Sequence, residues 1–303
     1  MAAAAWVRRL VLILVFAYAV VLILLLLFEK RLVFFPQIPG RLTGDWSPAD
    51  LAHEEVRLRA SDGVRLDAWW IPANATRAAT ENSFSAVAGD VPTFLCFHGN
   101  AANVAWRADV YRFLNDLPAN LLALEYRGYG RSEGSPSEAG IYRDAEAAYT
   151  YLIRERGIPP RRIIALGQSL GTAVAAELAA HYELGGIVLE APFPSARALA
   201  NRVYWFVPGL GWLIRSRFET SKNLALANSR FGAPLLVIHC TRDPVIPFTF
   251  GRQVYDSAPE PKAFLAVPGE CHEEATLVDP AEVRRELLRF VEQVRTKWTA
   301  SGQ

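Results

Sequence analysis

Cysteine is scarce in this chain: Cys96, Cys240 and Cys271 are the full complement of 303 residues. They are too few and too scattered for a disulfide framework, and none forms a CxxC metal pair, so no metal is expected. Their spacing says little about redox compartment. Charge of one sign is not in excess either. With 32 basic against 31 acidic side chains the net charge is +1, which excludes a general polyanion binder and hence a nucleic-acid partner. Gly and Pro stay at ordinary levels, 20 and 19 residues, which excludes a collagen-like or wholly disordered chain.

What is present is a globular composition, 51% hydrophobic and 21% charged, long enough for one large or two ordinary domains. One stretch departs from that average. Residues 10–28 carry no charge and are nearly all Leu, Val, Ile, Ala or aromatic, a length just sufficient to cross a hydrocarbon core of roughly 30 Å. A cleaved signal peptide would have a shorter apolar region and a small-residue cleavage site. Here the run passes directly into Glu29, Lys30 and Arg31 with no A-x-A pattern. A buried core helix is rarely apolar for so long. The expectation is an uncleaved single-pass anchor behind a short flank, residues 1–9. Arg8 and Arg9 precede the run while Lys30, Arg31 and Arg41 follow it; the near tie leaves the side of the membrane open.

Residues 29–53 read as an irregular connector whose Phe34, Phe35 and Trp46 rest either at the membrane interface or on the domain that follows. From Glu54 onward, alternating polar and apolar residues flank Asp62-Gly63, the mark of a hairpin. Short continuous apolar runs follow at 93–97, 121–126, 162–167, 186–191, 234–240 and 262–269, as expected of strands buried on both faces. Helical patterns separate them, including 141–156 and a stripe of Val283, Leu287, Phe290, Val291, Val294 and Trp298. This rhythm predicts an α/β fold with a mostly parallel sheet, helices on both faces and an antiparallel edge. Residues 73–91 are small and polar and read as a surface loop containing the chance-prone acceptor triplet Asn74-Ala75-Thr76. Residues 194–232 exceed what one crossover needs and read as a small helical cap. The domain proper is thus expected over 54–303.

Gly167-Gln168-Ser169-Leu170-Gly171 follows a buried strand and opens an Ala-rich helix, the context that a nucleophile elbow requires. Serine needs a base to take its proton. Of the five histidines, His53 and His181 read as surface or packing residues, and His239 reads as core. His98 ends a strand and His272 follows the last strand. The carboxyl edge of a parallel sheet is where ligands bind, so His272 is the expected base, with His98 competing. Asp243 lies just past the preceding strand and supplies the acid that orients the imidazole. Glu190 is the alternative acid, and Asp144, mid-helix, a poor one. The order Ser, Asp, His is that of one known arrangement of such triads. Developing negative charge needs N–H donors; those of Leu170 and Asn100 are the candidates.

The chain resembles the α/β-hydrolase superfamily, and within it the membrane-anchored "alpha/beta hydrolase domain-containing" proteins, some known as protein depalmitoylases, with their bacterial relatives. The resemblance is carried by FHGNAANV (97–104), EYRGYGRSEGSPSE (125–138), GQSLGTAVA (167–175), LLVIHCTRDPVIP (235–247) and VPGECHEE (267–274). It implies Ser169 as nucleophile, Asp243 and His272 as its relay, and Asn100 and Leu170 as oxyanion donors; residues 126–132 are treated as structural. Cys240 and Cys271 stand where relatives often have small residues. Glu273 and Glu274 stand where Asn or Asp is common, which is expected to raise the pKa of His272.

The reading is a membrane-anchored serine hydrolase of carboxylic esters or thioesters, working through an acyl-enzyme without cofactor on small-molecule, lipid or acylated-protein substrates. Its alternatives are an aminopeptidase or amidase on the same fold, and a non-catalytic anchored scaffold.

Overall fold

A computed structural model describes residues 2–74 and 91–300. Residues 75–90, with most of the polar segment and its acceptor triplet, lie outside the described residues. The core is one eight-stranded sheet in the order β1-β2-β4-β3-β5-β6-β7-β8. Its strands are β1 (Glu54–Arg59), β2 (Arg65–Ile71), β3 (Thr93–Phe97), β4 (Asn120–Leu124), β5 (Ile163–Gln168), β6 (Gly186–Glu190), β7 (Leu235–Cys240) and β8 (Lys262–Val267). β1 and β2 form the expected hairpin, with Arg59 opposite Arg65, and β2 runs antiparallel to β4. Every pairing from β4 onward through β8 is parallel.

Alternation of side chains explains why these strands are apolar throughout. In β3, Leu95 and Phe97 join the core on one face of the sheet while Phe94 and Cys96 join the other. The first face is covered by α4 (Glu138–Arg154), α5 (Leu170–His181) and α8 (Thr220–Phe231). The second is covered by α3 (Ala108–Asn115) and α11 (Pro280–Ala300), whose stripe from Val283 to Trp298 is buried. The single turn α10 (Ala275–Val278) completes this second shell through Ala275, while α9 (Phe248–Ser257) joins the first face through Val254.

The cap is smaller than the sequence suggests. α6 (Ala196–Val203) and α7 (Leu210–Leu213) line a cavity together with Ser169, the residue that follows the carboxyl end of β5. Leu224 and Ala227 of α8, by contrast, are buried in the core beside α5, and Asn223 Nδ2 donates to Glu177 Oε2 at 2.6 Å. α8 is therefore the ordinary crossover helix between β6 and β7, and the cap ends before it.

At the amino end, α1 (Ala2–Leu27) contains 24 residues long and apolar enough to cross a membrane, and α2 (Glu29–Val33) follows. The connector aromatics pack on the domain: Phe34 is buried edge-on to Phe218, and Trp46 meets Trp69 edge-on, each at 6.2 Å.

A buried ion network fixes the turn after β4. Arg127 Nε and its backbone N–H each donate to Asp144 at 2.9 Å, while its two terminal nitrogens bind Asp62 at 2.7 and 3.0 Å. One guanidinium thus ties the hairpin turn, the post-β4 loop and α4 together, which gives Asp144 a structural role. Asp144→Ala leaves Arg127 partly unpaired and is expected to lower unfolding free energy by about 3–5 kcal/mol, measured by denaturant titration.

Candidate active site

β5 ends at Gln168 and α5 begins at Leu170, leaving Ser169 to make the turn alone with φ of +50° and ψ of −115°. Such a conformation costs of order 1–3 kcal/mol and persists only where its surroundings over-determine it. Here Ser169 N–H donates to the Glu190 carbonyl at 2.9 Å, and Thr172 Oγ1 donates to the Ser169 carbonyl at 2.6 Å. Close packing of α5 on β3 completes the constraint: a Cβ at Gly171 would lie 2.0 Å from the Phe97 carbonyl oxygen.

The loops after β7 and β8 bring Asp243 and His272 to this serine. His272 Nδ1 lies 2.8 Å from Asp243 Oδ2 and Nε2 lies 2.9 Å from Ser169 Oγ. Since a carboxylate can only accept, Nδ1 carries the proton of the neutral ring, and bare Nε2 accepts from the serine hydroxyl. Asp243 is itself held rigidly: Oδ1 accepts the N–H groups of Val245 and Ile246 at 2.7 and 2.8 Å.

His239 is a partner that sequence reading missed. It is fully buried as expected of a core residue, but Nε2 sits 3.4 Å from Asp243 Oδ2 and 3.0 Å from the Ile246 carbonyl. Both neighbours are acceptors, so Nε2 bears the proton. The four-residue spacing of His239 and Asp243 across a strand end was the available signal. Burial works against ionising Asp243, but hydrogen bonds from His239 and His272 outweigh it and hold the carboxyl far below the usual carboxylate range.

Neither rival candidate from the sequence reaches the serine. His98 is buried, with Nδ1 donating to the Gly99 carbonyl at 2.8 Å and Nε2 3.2 Å from Glu125 Oε1. That carbonyl belongs to the peptide whose N–H is Asn100's, so His98 orients the expected oxyanion donor instead of serving as base. Tyr126 and Tyr129 hydroxyls donate to the His98 and Asn100 carbonyls at 3.1 and 2.8 Å, giving the post-β4 loop the task of bracing this turn. Glu190 accepts from Gln168 Nε2 at 2.8 Å and from Ala275 N–H at 2.9 Å. Burial pushes its carboxyl up to about 7 against those bonds.

Ser169, Leu170 and Asn100 open on a cavity of about 180 Å³, walled by Phe193, Leu199, Tyr204, Leu210 and Phe218. Leu25 of α1 and Leu32 of α2 also line it.

Among known proteins, the α/β-hydrolase fold family matches residues 92–211. The alpha/beta hydrolase domain-containing protein WAV2 of Arabidopsis thaliana is 32% identical over 288 residues, covering 88% of each chain. The chain belongs to the α/β-hydrolase family. The lysophosphatidylserine lipase ABHD12 of Danio rerio is 32% identical over 68% of this chain and 59% of its own length. The Pyrococcus furiosus esterase Pf2001 shares the fold with a TM-score of 0.64 at 20% identity, covering 86% of this chain and 99% of that one.

Of the two glutamates after His272, Glu273 acts electrostatically. Glu274 Oε2 accepts the backbone N–H groups of His272 and Glu273, whereas Glu273 lies 3.9 Å from His272 Nε2 and pairs with Arg107. Burial favours the neutral imidazole, but the Asp243 hydrogen bond, with the charges of Glu273, Asp243 and Glu190, raises the His272 pKa above its ordinary value. A base must be neutral, so turnover falls as pH drops through that raised pKa. Glu273→Gln removes one of the raising charges, and the acid limb of kcat/KM is expected to move to lower pH. A limb that stays fixed or moves upward contradicts this assignment.

The sequence also failed to show that Cys240 and Cys271 form a disulfide, while Cys96 remains a buried free thiol. Two cysteines far apart in sequence become neighbours only because β7 and β8 pair in parallel register. The bridge ties the Asp243 loop to the His272 loop across a separation of 31 residues. Replacing both cysteines by serine is expected to cost about 3 kcal/mol of unfolding free energy; a double variant unfolding with the parent would contradict it.

Proposed function

We propose that the protein is a membrane-anchored serine hydrolase that cleaves carboxylic esters or thioesters through an acyl-enzyme. The observation that carries this reading is the unbroken chain of short contacts from Asp243 through His272 to Ser169 Oγ, at the mouth of an apolar cavity. As Ser169 attacks the carbonyl, His272 Nε2 takes its proton and Asp243 stabilises the imidazolium. The N–H groups of Leu170 and Asn100 receive the oxyanion, the first at the positive end of α5. His272 then protonates the leaving group and, once the alcohol or thiol departs, draws a proton from water to release the acid.

The apolar wall suits an acyl chain. The zebrafish relative's name, a lysophosphatidylserine lipase, is consistent with an acyl ester as substrate. An aminopeptidase needs a free carboxylate to hold the substrate's ammonium group. Glu29, the acidic side chain lining the cavity, accepts from the backbone N–H groups of Arg215 and Ser216 with both oxygens. That commitment favours the esterase over the peptidase. Residues 10–28 are the anchor, and the Cys240–Cys271 bridge favours a catalytic domain on the oxidising side of the membrane.

Full-length protein is expected to react with a fluorophosphonate and to turn over p-nitrophenyl esters faster than amino-acid anilides. Ser169→Ala is expected to lose the label and to lower kcat by about three orders of magnitude or more. Labelling that survives this substitution, or anilides preferred over esters, overturns the reading.

A further inference from the structure

The last ten residues of α1 are not free of the domain. Ala19, Leu22, Leu25 and Leu26 form one half-buried stripe leading to buried Glu29, while the rest of that helix surface is exposed. The spacing of three and four residues is that of a single helix face. Its partner is the cap. Glu29 accepts three hydrogen bonds from Arg215 and Ser216, and the Tyr18 hydroxyl donates to the Pro208 carbonyl. Tyr18 precedes Leu27 by nine residues, or about 14 Å along the helix. The turn at Pro208 therefore lies beside the middle of the apolar run, well short of its carboxyl end.

The surface of this cap is unusual for one facing water. Val203, Trp205, Phe206, Trp212 and Leu213 are all exposed. Residues 194–217 also contain Arg197, Arg202, Arg215 and Arg217 and no acidic residue. Exposed aromatics interspersed with arginine are what an interfacial element needs, the rings entering the acyl boundary and the guanidinium groups meeting anionic headgroups. The Arg197 guanidinium already stacks over the exposed Trp212 ring at 4.0 Å, a cation–π contact that keeps a positive charge against the ring.

We propose that the cap is a second membrane-seated element. Its Trp205, Phe206, Trp212 and Leu213 face lies in the leaflet occupied by the carboxyl half of α1, and the cavity between them opens to lipid. The acyl chain of a bilayer ester enters between α1 and the cap, so α1 supplies a wall of the acyl site as well as the anchor. This deepens the hydrolase reading and rests on α1 spanning the bilayer.

The test uses full-length protein in nanodiscs of anionic lipid whose acyl chains are brominated. Tryptophan emission is expected to be quenched, and a Trp205→Phe/Trp212→Phe variant to lose part of the quenched signal. Equal quenching amplitude in parent and variant overturns the proposal, as does a cross-link joining two copies through residue 205 or 212, which would make a second chain the occupant. A Trp205→Asn/Phe206→Asn variant is expected to lose roughly tenfold in turnover of a fluorogenic long-chain ester dissolved in vesicles. Its turnover of water-soluble p-nitrophenyl acetate should stay within about twofold of the parent. Loss on both substrates, or on neither, counts against the cap as a lipid-facing element. The quenching result does not depend on catalysis, so failure of the Ser169→Ala test would remove the hydrolase reading and leave the membrane seat standing. A mature chain lacking residues 1–28, detected by mass spectrometry, would remove the seat.

Discussion

Ser169 occupies a backbone conformation that an L-residue avoids, and the site around it exists because the fold makes that conformation the least costly one available. A parallel strand must hand over to a helix within one residue, and the helix must lie close enough to β3 that only glycine fits at position 171. The Glu190 carbonyl and the Thr172 hydroxyl fix the peptides on either side. Once the turn is set, the hydroxyl stands above the sheet edge. The loops after β3, β7 and β8 then need only end at the same edge, as parallel pairing obliges them to do.

The electrostatics follow from how little water that edge admits. Asp243 is buried yet ionised because every acceptor position on it is filled: two backbone N–H groups on one oxygen, two imidazoles near the other. Its charge in turn keeps the proton of His272 on Nδ1 and leaves Nε2 for the serine. Arg107 neutralises Glu273, the nearest competing charge. Without that pairing, a carboxylate 3.9 Å from Nε2 would draw the base still further toward its protonated form.

Much of this was legible in the chain. The buried strands announced themselves as short apolar runs because both faces of a parallel sheet are covered, and GQSLG declared the elbow through the strand before it and the alanines after it. What escaped the sequence depends on distance in the chain. α8 carries a mixed pattern that does not separate a cap helix from a crossover; only its burial against α5 does. The Cys240–Cys271 pairing follows from strand register, and the second contact of Asp243 from a histidine inside a strand, where an imidazole has no visible partner. The connector aromatics were undecidable for the same reason: Phe34 meets Phe218, a residue far along the chain.

The integration of the amino-terminal segment has a practical meaning for anyone preparing this protein. Val33 and Phe35, just beyond α1, are hydrogen-bonded to Asn100, and Glu29 secures the segment 215–216. Trimming α1 (Ala2–Leu27) to shorten the chain would not leave the rest of the molecule untouched. It would remove Leu25 from the lining of the cavity beside Ser169 and free the turn at Pro208 from Tyr18, so such a fragment would present a differently shaped mouth.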